Sequence, residues 1–207
     1  MKKYFMMLAI SGLTFSACNG SSKNNHEVHD KMNTNGDSTT HATATDTIIR
    51  PVQVVFTNIN TSAGSAIREI VNQYLAIKNA LTSDNGTEAA KSANALIDAM
   101  KKLDKSLLTA EQKKAYDNTE EELKEHARHI AANSGKIDHQ RSHFSMMSEE
   151  AYELIKNFGA GRTVYHDHCP MAMDNKGAMW ISEVKDIKNP YFGAKMPTCG
   201  KVEEVLQ

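Results

Sequence analysis

Between Tyr165 and Met173 the chain reads Tyr-His-Asp-His-Cys-Pro-Met-Ala-Met, which gathers two imidazoles, one thiol and two thioethers into nine residues. Met196 and Cys199 add another thioether and thiol in the same tail. Thiolate, thioether and imidazole are the donors that select Cu(I) and, by the same softness, Ag(I). Zn(II) is the competitor, since it takes thiolate and imidazole but gains little from thioether. The first candidate metal site is therefore His166, His168, Cys169, Met171, Met173, Met196 and Cys199. His166 and His168 alternate, so on a strand they share a face. Cys169-Pro170-Met171 can reverse the chain and bring thiolate and thioether to one point. Thiolate outranks imidazole for Cu(I), so losing both cysteines should weaken binding more than losing two histidines elsewhere. The same cysteines also admit a disulfide across a loop of about thirty residues, worth roughly 3 kcal/mol on the chain-entropy model. Under that alternative the methionines are packing. Cu(I) requires the reduced thiols, so the two states exclude each other.

A second group of donors lies upstream. His126 and His129 are three residues apart, and His139, His143 and Met146 fall at i, i+4 and i+7. On helices joined by the Ser134-Gly135 turn, both sets lie at one end of a single hairpin, where they could clasp an ion. Enzymatic readings find little. The sequence has no Gly-rich phosphate loop, nucleophile elbow or His-Glu-x-x-His. Glu121, Glu122 and Glu125 near His126 lack a matching Glu-x-x-His for a di-iron bundle. Cys-x-x-Cys-His is absent, which argues against c-type haem attachment. A non-enzymatic protein is expected.

The segments that must position these residues begin with an address. Lys2 and Lys3 form a basic stretch, Tyr4 to Phe15 an apolar one, and Ser16 and Ala17 precede Cys18. This is a secretory signal, too short for a dependable membrane span, and it resembles a bacterial lipobox in which Cys18 is acylated. Asn19 at the second mature position resembles lipoproteins sent to the outer membrane. The expected location is the cell envelope, lipid-anchored in the outer membrane and facing the periplasm. That compartment permits a disulfide. Removing residues 1–17 leaves 22 basic against 25 acidic side chains, a net charge of −3. Neither nucleic acid nor a membrane contact beyond the acyl anchor is suggested.

Residues 18–46 are Ser, Thr, Asn, Gly and His with almost no large apolar side chain. They read as a disordered tether carrying His26, His29, Met32 and His41. Ile48 to Phe56 reads as an extended segment, with Pro51 confining it to a sheet edge. Four helices follow. Ile67, Ile70, Val71, Tyr74, Leu75 and Leu81 mark the first, which Asn85-Gly86 should end. Ala89, Ala93, Leu96, Ile97, Met100 and Leu103 mark the second. Thr109 with Gln112 forms a capping box for the third, whose face runs Tyr116, Leu123, Ala127 and Ile130. The fourth opens near Asp138, buries Phe144, Met147, Ala151, Leu154 and Phe158, and stops at Gly159. Short connections predict a mainly α fold, an up-down-up-down four-helix bundle over 47–161. Residues 162–207 predict a small irregular cap with short strands at 163–165, 179–182 and 202–206, and one small hairpin. Each helix carries its own apolar stripe, so the bundle should fold without the cap.

Tyr165 to Ala172, Gly177-Ala-Met-Trp-Ile-Ser182 and Ile187-Lys-Asn-Pro-Tyr-Phe-Gly193, followed by Met196 and Cys199-Gly200, resemble an uncharacterised helical domain family. That family occurs as lipoproteins in Bacteroidetes-type bacteria and at the C-terminus of adaptor subunits of copper/silver efflux pumps (CusB-like proteins). The Cys-Pro-Met core is also similar to those adaptors' heavy-metal-binding module, Tyr-x-Cys-Pro-Met-His-Pro. Here Ala172 and Met173 stand where that module has His and Pro. The resemblance covers Ser62 to the C-terminus and implies metal handling. The expected function is binding of Cu(I) or Ag(I) for buffering or delivery to an efflux system, with an efflux adaptor as a protein partner. The alternative is an interaction lipoprotein whose disulfide-stapled cap, with Trp180, Tyr191 and Phe192, docks such a partner.

Overall fold

A computed structural model of the chain describes residues 49–207. The signal segment, the lipidation residue Cys18 and the tether histidines lie outside the described residues. Four long helices carry the fold: α1 (Thr61–Thr82), α2 (Gly86–Lys101), α3 (Ala110–Ala132) and α4 (Ile137–Phe158). They pack in sequence, α1 on α2, α2 on α3 and α3 on α4, with a smaller return contact from α4 to α1.

Local chemistry sets the helix ends. The Asn60 side chain accepts the N–H groups of Ser62 and Ala63 and so opens α1. Asn85 serves both helices. With Asp84 left-handed (φ 54), the Asn85 N–H donates to the Ala80 carbonyl at 2.8 Å and the Asp84 N–H to the Leu81 carbonyl, which closes α1. The Asn85 side chain then accepts the Glu88 N–H and opens α2. Leu103 lies just past the end of α2 yet is still buried. The Thr109–Gln112 capping box forms, and the Gln112 amide also donates to the Asn58 carbonyl. Gly159, with φ 77, caps α4.

The chain after α4 is more ordered than an irregular cap. Strands β1 (Arg50–Val52), β2 (Val164–Cys169), β3 (Ala178–Ser182) and β4 (Lys201–Leu206) form one sheet in the order β1-β4-β2-β3. The β2–β3 hairpin is present, and β4 pairs antiparallel with β2 on its other side. β1 arrives from before the bundle and pairs in parallel with β4 at the edge, where Pro51 has little use for an N–H. Arg50 sits opposite Glu204 and forms an ion pair with it at 2.9 Å. Pairing between segments so distant in sequence leaves no local periodicity to read.

Helices and sheet share a core. Val164, Cys169, Trp180, Ile181, Tyr191 and Leu206 belong to the same buried cluster as Ile67, Ile70, Leu96, Leu123, Phe144 and Ile155. Burying each such large side chain contributes about 1.5–3 kcal/mol. The Tyr74 hydroxyl of α1 accepts the Ile181 N–H of β3 at 3.0 Å and meets Ser148 of α4 at 2.8 Å. The Phe144 ring stands 5.9 Å from that of Tyr191. The apolar stripes of α1 and α4 are therefore partly spent on the sheet, contrary to the expectation that the bundle needs no cap. A fragment ending at residue 161 leaves Tyr74, Lys78 and Phe144 facing water. It should melt without a cooperative transition and bind a hydrophobic dye, while residues 49–207 melt sharply. A steep melting curve for the fragment, followed by circular dichroism, would show that the helices are self-sufficient.

Candidate metal centre

The turn between α3 and α4 spans only a few residues, so the last turns of one helix face the first turns of the other. His126 and His129 project from α3, and His139 and His143 from α4. The ligating nitrogens of His129, His139 and His143 all lie within 4.8 Å of one another. The rings of His129 and His143 stack at 4.0 Å, and the ring of His139 stands 4.7 Å from that of His143. His126 completes the group, with its Nδ1 at 3.2 Å from the Nδ1 of His143. Met146 follows on the same helix and is exposed.

An ion at about 2.0–2.1 Å from each nitrogen needs those nitrogens roughly 3.3 Å apart, so closure around it takes a side-chain rotation of about an ångström. Two carboxylates flank the group. Glu125 approaches His129 Nε2 at 3.2 Å and Glu122 approaches His126 Nε2 at 3.8 Å. Carboxylates in that position fix the ring orientation of a ligating histidine and raise its basicity. The four imidazoles also act on one another. Burial, reinforced by the charges of His129, His139 and His126, pushes the His143 pKa down to about 4. Burial lowers that of His126 as well. Both rings are neutral at pH 7, with lone pairs available to a cation.

The donors of the C-terminal tail do not converge in this way. Cys169 and Cys199 form a disulfide, with Cα atoms 5.8 Å apart. Of the two states open in the sequence, the structure takes the stapled one, and neither sulfur is a thiolate. His166 and His168 do share a face of β2. Nδ1 of His166 lies 3.8 Å from Glu204, and its ring is 5.0 Å from that of Tyr152 on α4. His168 lies 3.6 Å from Glu203, the extra residue of a bulge in β4. Gly177 (φ 84) lets the hairpin fold over His168, because a Cβ there would strike the ring. Met171, Met173 and Met196 line a separate groove against the start of α4.

Sequence reasoning missed a buried polar group between α1 and the sheet. Lys78 is fully buried, with its ammonium 2.8 Å from Glu183 and 3.5 Å from the Ser182 hydroxyl. Asp167 is equally buried, and neither carboxyl oxygen has a hydrogen-bond partner among the described residues. The indole N–H of Trp180, opposite on β3, is the donor nearest in kind, also without a tight partner. A signal existed: His166 and His168 on one face of a strand put Asp167 on the other, beside Cys169. A lysine inside the apolar stripe of Leu75, Ile77 and Leu81 was a second.

Residues 70–163 match the model of a family described as "Protein of unknown function (DUF3347)". The bundle carries an uncharacterised domain. The match takes in all four hairpin histidines and ends just before β2, so the disulfide and the sheet strands β2–β4 lie beyond it. No curated protein and no solved structure gives a significant match.

Asp167 generates a pH prediction. Burial raises its pKa from 3.8 to about 8, with Lys78 opposing the shift. The folded state therefore holds a proton that the unfolded chain releases near pH 4, and stability falls as pH rises from about 4 to about 8. Asp167→Asn removes that penalty. Its melting temperature should exceed the parent's by a margin that widens from pH 5 to pH 8 and then levels. Parallel curves for the two proteins would mean that Asp167 is ionised in the fold throughout.

Proposed function

We propose that this chain is a non-enzymatic metal-binding protein of the cell envelope, holding its ion on the α3–α4 hairpin between His126, His129, His139 and His143. One observation carries the reading: three ring nitrogens from two helices lie within 4.8 Å of one another. Imidazole donors suit copper and zinc, and Cu(I) and Ag(I) accept them as well. Low coordination by neutral nitrogens gives Mg²⁺ and Ca²⁺ little to bind, since they require several oxygen ligands. The resemblance of the tail to copper/silver efflux adaptors supports copper or silver over zinc as cargo. The lipobox-like Cys18 supports an acylated anchor at the outer membrane, with buffering or delivery to an efflux adaptor as the task. The docking alternative draws less support, because Trp180 is fully buried and Tyr191 is 5 % exposed, which leaves Phe192 as the accessible aromatic.

The test compares two double variants by competition against a metal chelator, with copper and with zinc. His139→Ala/His143→Ala should weaken binding on the order of 100-fold or more, exceeding the usual effect of losing a supporting residue. Cys169→Ser/Cys199→Ser should bind zinc as the parent does while losing about 3 kcal/mol of stability, the cost of opening the loop. Equal affinity for parent and histidine variant would remove the hairpin from consideration. A greater loss from the cysteine variant would return the ion to the tail.

A further inference from the structure

We propose that the groove between the start of α4 and the Met171–Asn175 turn is a second, separate site for a soft monovalent cation, Cu(I) or Ag(I), held by the thioethers of Met171, Met173 and Met196. The three methionines line one cavity of about 530 Å³, together with Asp138, Arg141 and Ser142 of α4. Methionine used as packing is buried. Here Met171 is 48 % exposed and Met196 is half-buried outside the core, while Met173 is half-buried and packs in part on the core. Three thioether side chains lining one groove offer uncharged sulfur donors, which Cu(I) and Ag(I) accept and harder ions do not.

Two further observations point to a constrained site. Met173, Asp174 and Asn175 are consecutive left-handed residues, with φ of 50, 56 and 62. Asp and Asn tolerate that region, but an unbranched residue with a full Cβ pays for it, so the turn is held against the local preference of Met173. Strain of this kind persists where surrounding structure fixes it and concentrates at functional positions. The turn is held by its own backbone bonds, from the Asn175 N–H to the Met171 carbonyl at 3.3 Å and from the Gly177 N–H to the Ala172 carbonyl at 3.0 Å, and it is flanked by the disulfide. Cys169 lies two residues before Met171 and Cys199 three after Met196, so the bridge pins the two thioether-bearing segments side by side. The Asn189 amide donates to the Cys199 carbonyl at 2.7 Å and its N–H to the Pro197 carbonyl at 2.9 Å, holding the second segment. The disulfide thus acts as the frame of a thioether site.

Charge favours a cation. Asp138 and Asp174 belong to the lining, and the one positive charge there, Arg141, faces two carboxylates, Asp84 at 2.5 Å and Asp138 at 3.9 Å, so the balance is negative with Asp174 added. The site does not depend on the hairpin histidines, so either can fail alone.

Ag(I) is the probe, because it needs no reductant and leaves the Cys169–Cys199 bridge intact. The mature chain with ¹³C-labelled methionine methyl groups is titrated with silver nitrate and followed by NMR and calorimetry. Met171, Met173 and Met196 methyl signals should shift together. The variant Met171→Leu/Met173→Leu/Met196→Leu should lose those shifts and one equivalent of bound Ag(I), with its affinity for Zn(II) unchanged. Leu keeps the volume, and the single variant Met196→Leu, at least tenfold weaker for Ag(I), serves if the triple variant folds poorly. Methyl shifts absent from all three residues, an unchanged silver stoichiometry in the triple variant, or an unchanged Ag(I) affinity in Met196→Leu would overturn the proposal.

Discussion

The guanidinium of Arg141 is the point on which both candidate sites depend. It is almost wholly buried near the start of α4. It donates to the Pro190 carbonyl at 2.8 Å, to the Leu81 carbonyl at 3.1 Å and to the Asp84 carboxylate. One side chain thereby joins α4 to the α1–α2 turn and to the loop before β4. Asp84 in turn accepts the Ala194 N–H, and that bond and Arg141 hold its carboxyl below the usual range. Gly193 makes the approach possible, since a Cβ there would collide with both Asp84 and Arg141. A buried charge is tolerable only when paired and hydrogen-bonded, and this one has two carboxylates beside it and three hydrogen bonds. Its neighbours on α4 carry His139 and His143 toward α3, and Asp138 and Ser142 toward the methionine groove.

The second buried charge does different work. Lys78 reaches across from α1 to Glu183 at the end of β3, so the sheet is tied to the bundle by an ion pair as well as by Trp180 and Ile181. Asp167 stands near this pair without partners of its own, and desolvation keeps it protonated to about pH 8. A carboxyl in that state is a stability cost at alkaline pH that the surrounding apolar contacts must offset. Burial of this kind follows from the pleat: once His166 and His168 take one face of β2, Asp167 must take the other.

The disulfide changes the metal chemistry open to the chain. With Cys169 and Cys199 joined, the strongest soft donors are withdrawn, and the remaining ones fall into two sets of different character. Neutral imidazoles gather on the helical hairpin, and thioethers line the groove beside the bridge. Borderline ions suit the first set and soft monovalent ions the second. Neither set contains a thiol, so the oxidation that forms the bridge leaves both intact.

Most of the bundle was legible. The helical periodicity of Ile67 to Leu81 and of Phe144 to Phe158, the Thr109–Gln112 box and the Gly159 cap are local signals, and each appears in the structure as read. The hairpin cluster was legible as well, since the spacing of His126, His129, His139 and His143 about a short turn fixes one end of two neighbouring helices. The sheet was only half visible: β2, β3 and β4 show as short apolar runs, but the parallel pairing of β1 with β4 is a contact between chain ends that no local pattern encodes. The choice between thiolate ligands and a disulfide at Cys169 and Cys199 had the same status. Residue type allowed both, and only the tertiary fold, by bringing their Cα atoms to 5.8 Å with β2 and the following loops in place, decided for the bridge. The sequence by itself determined the helices, their order and the supply of donors, because those depend on neighbours a few residues away. Which donors meet depends on the packing of distant segments, and that was decided by the assembled core.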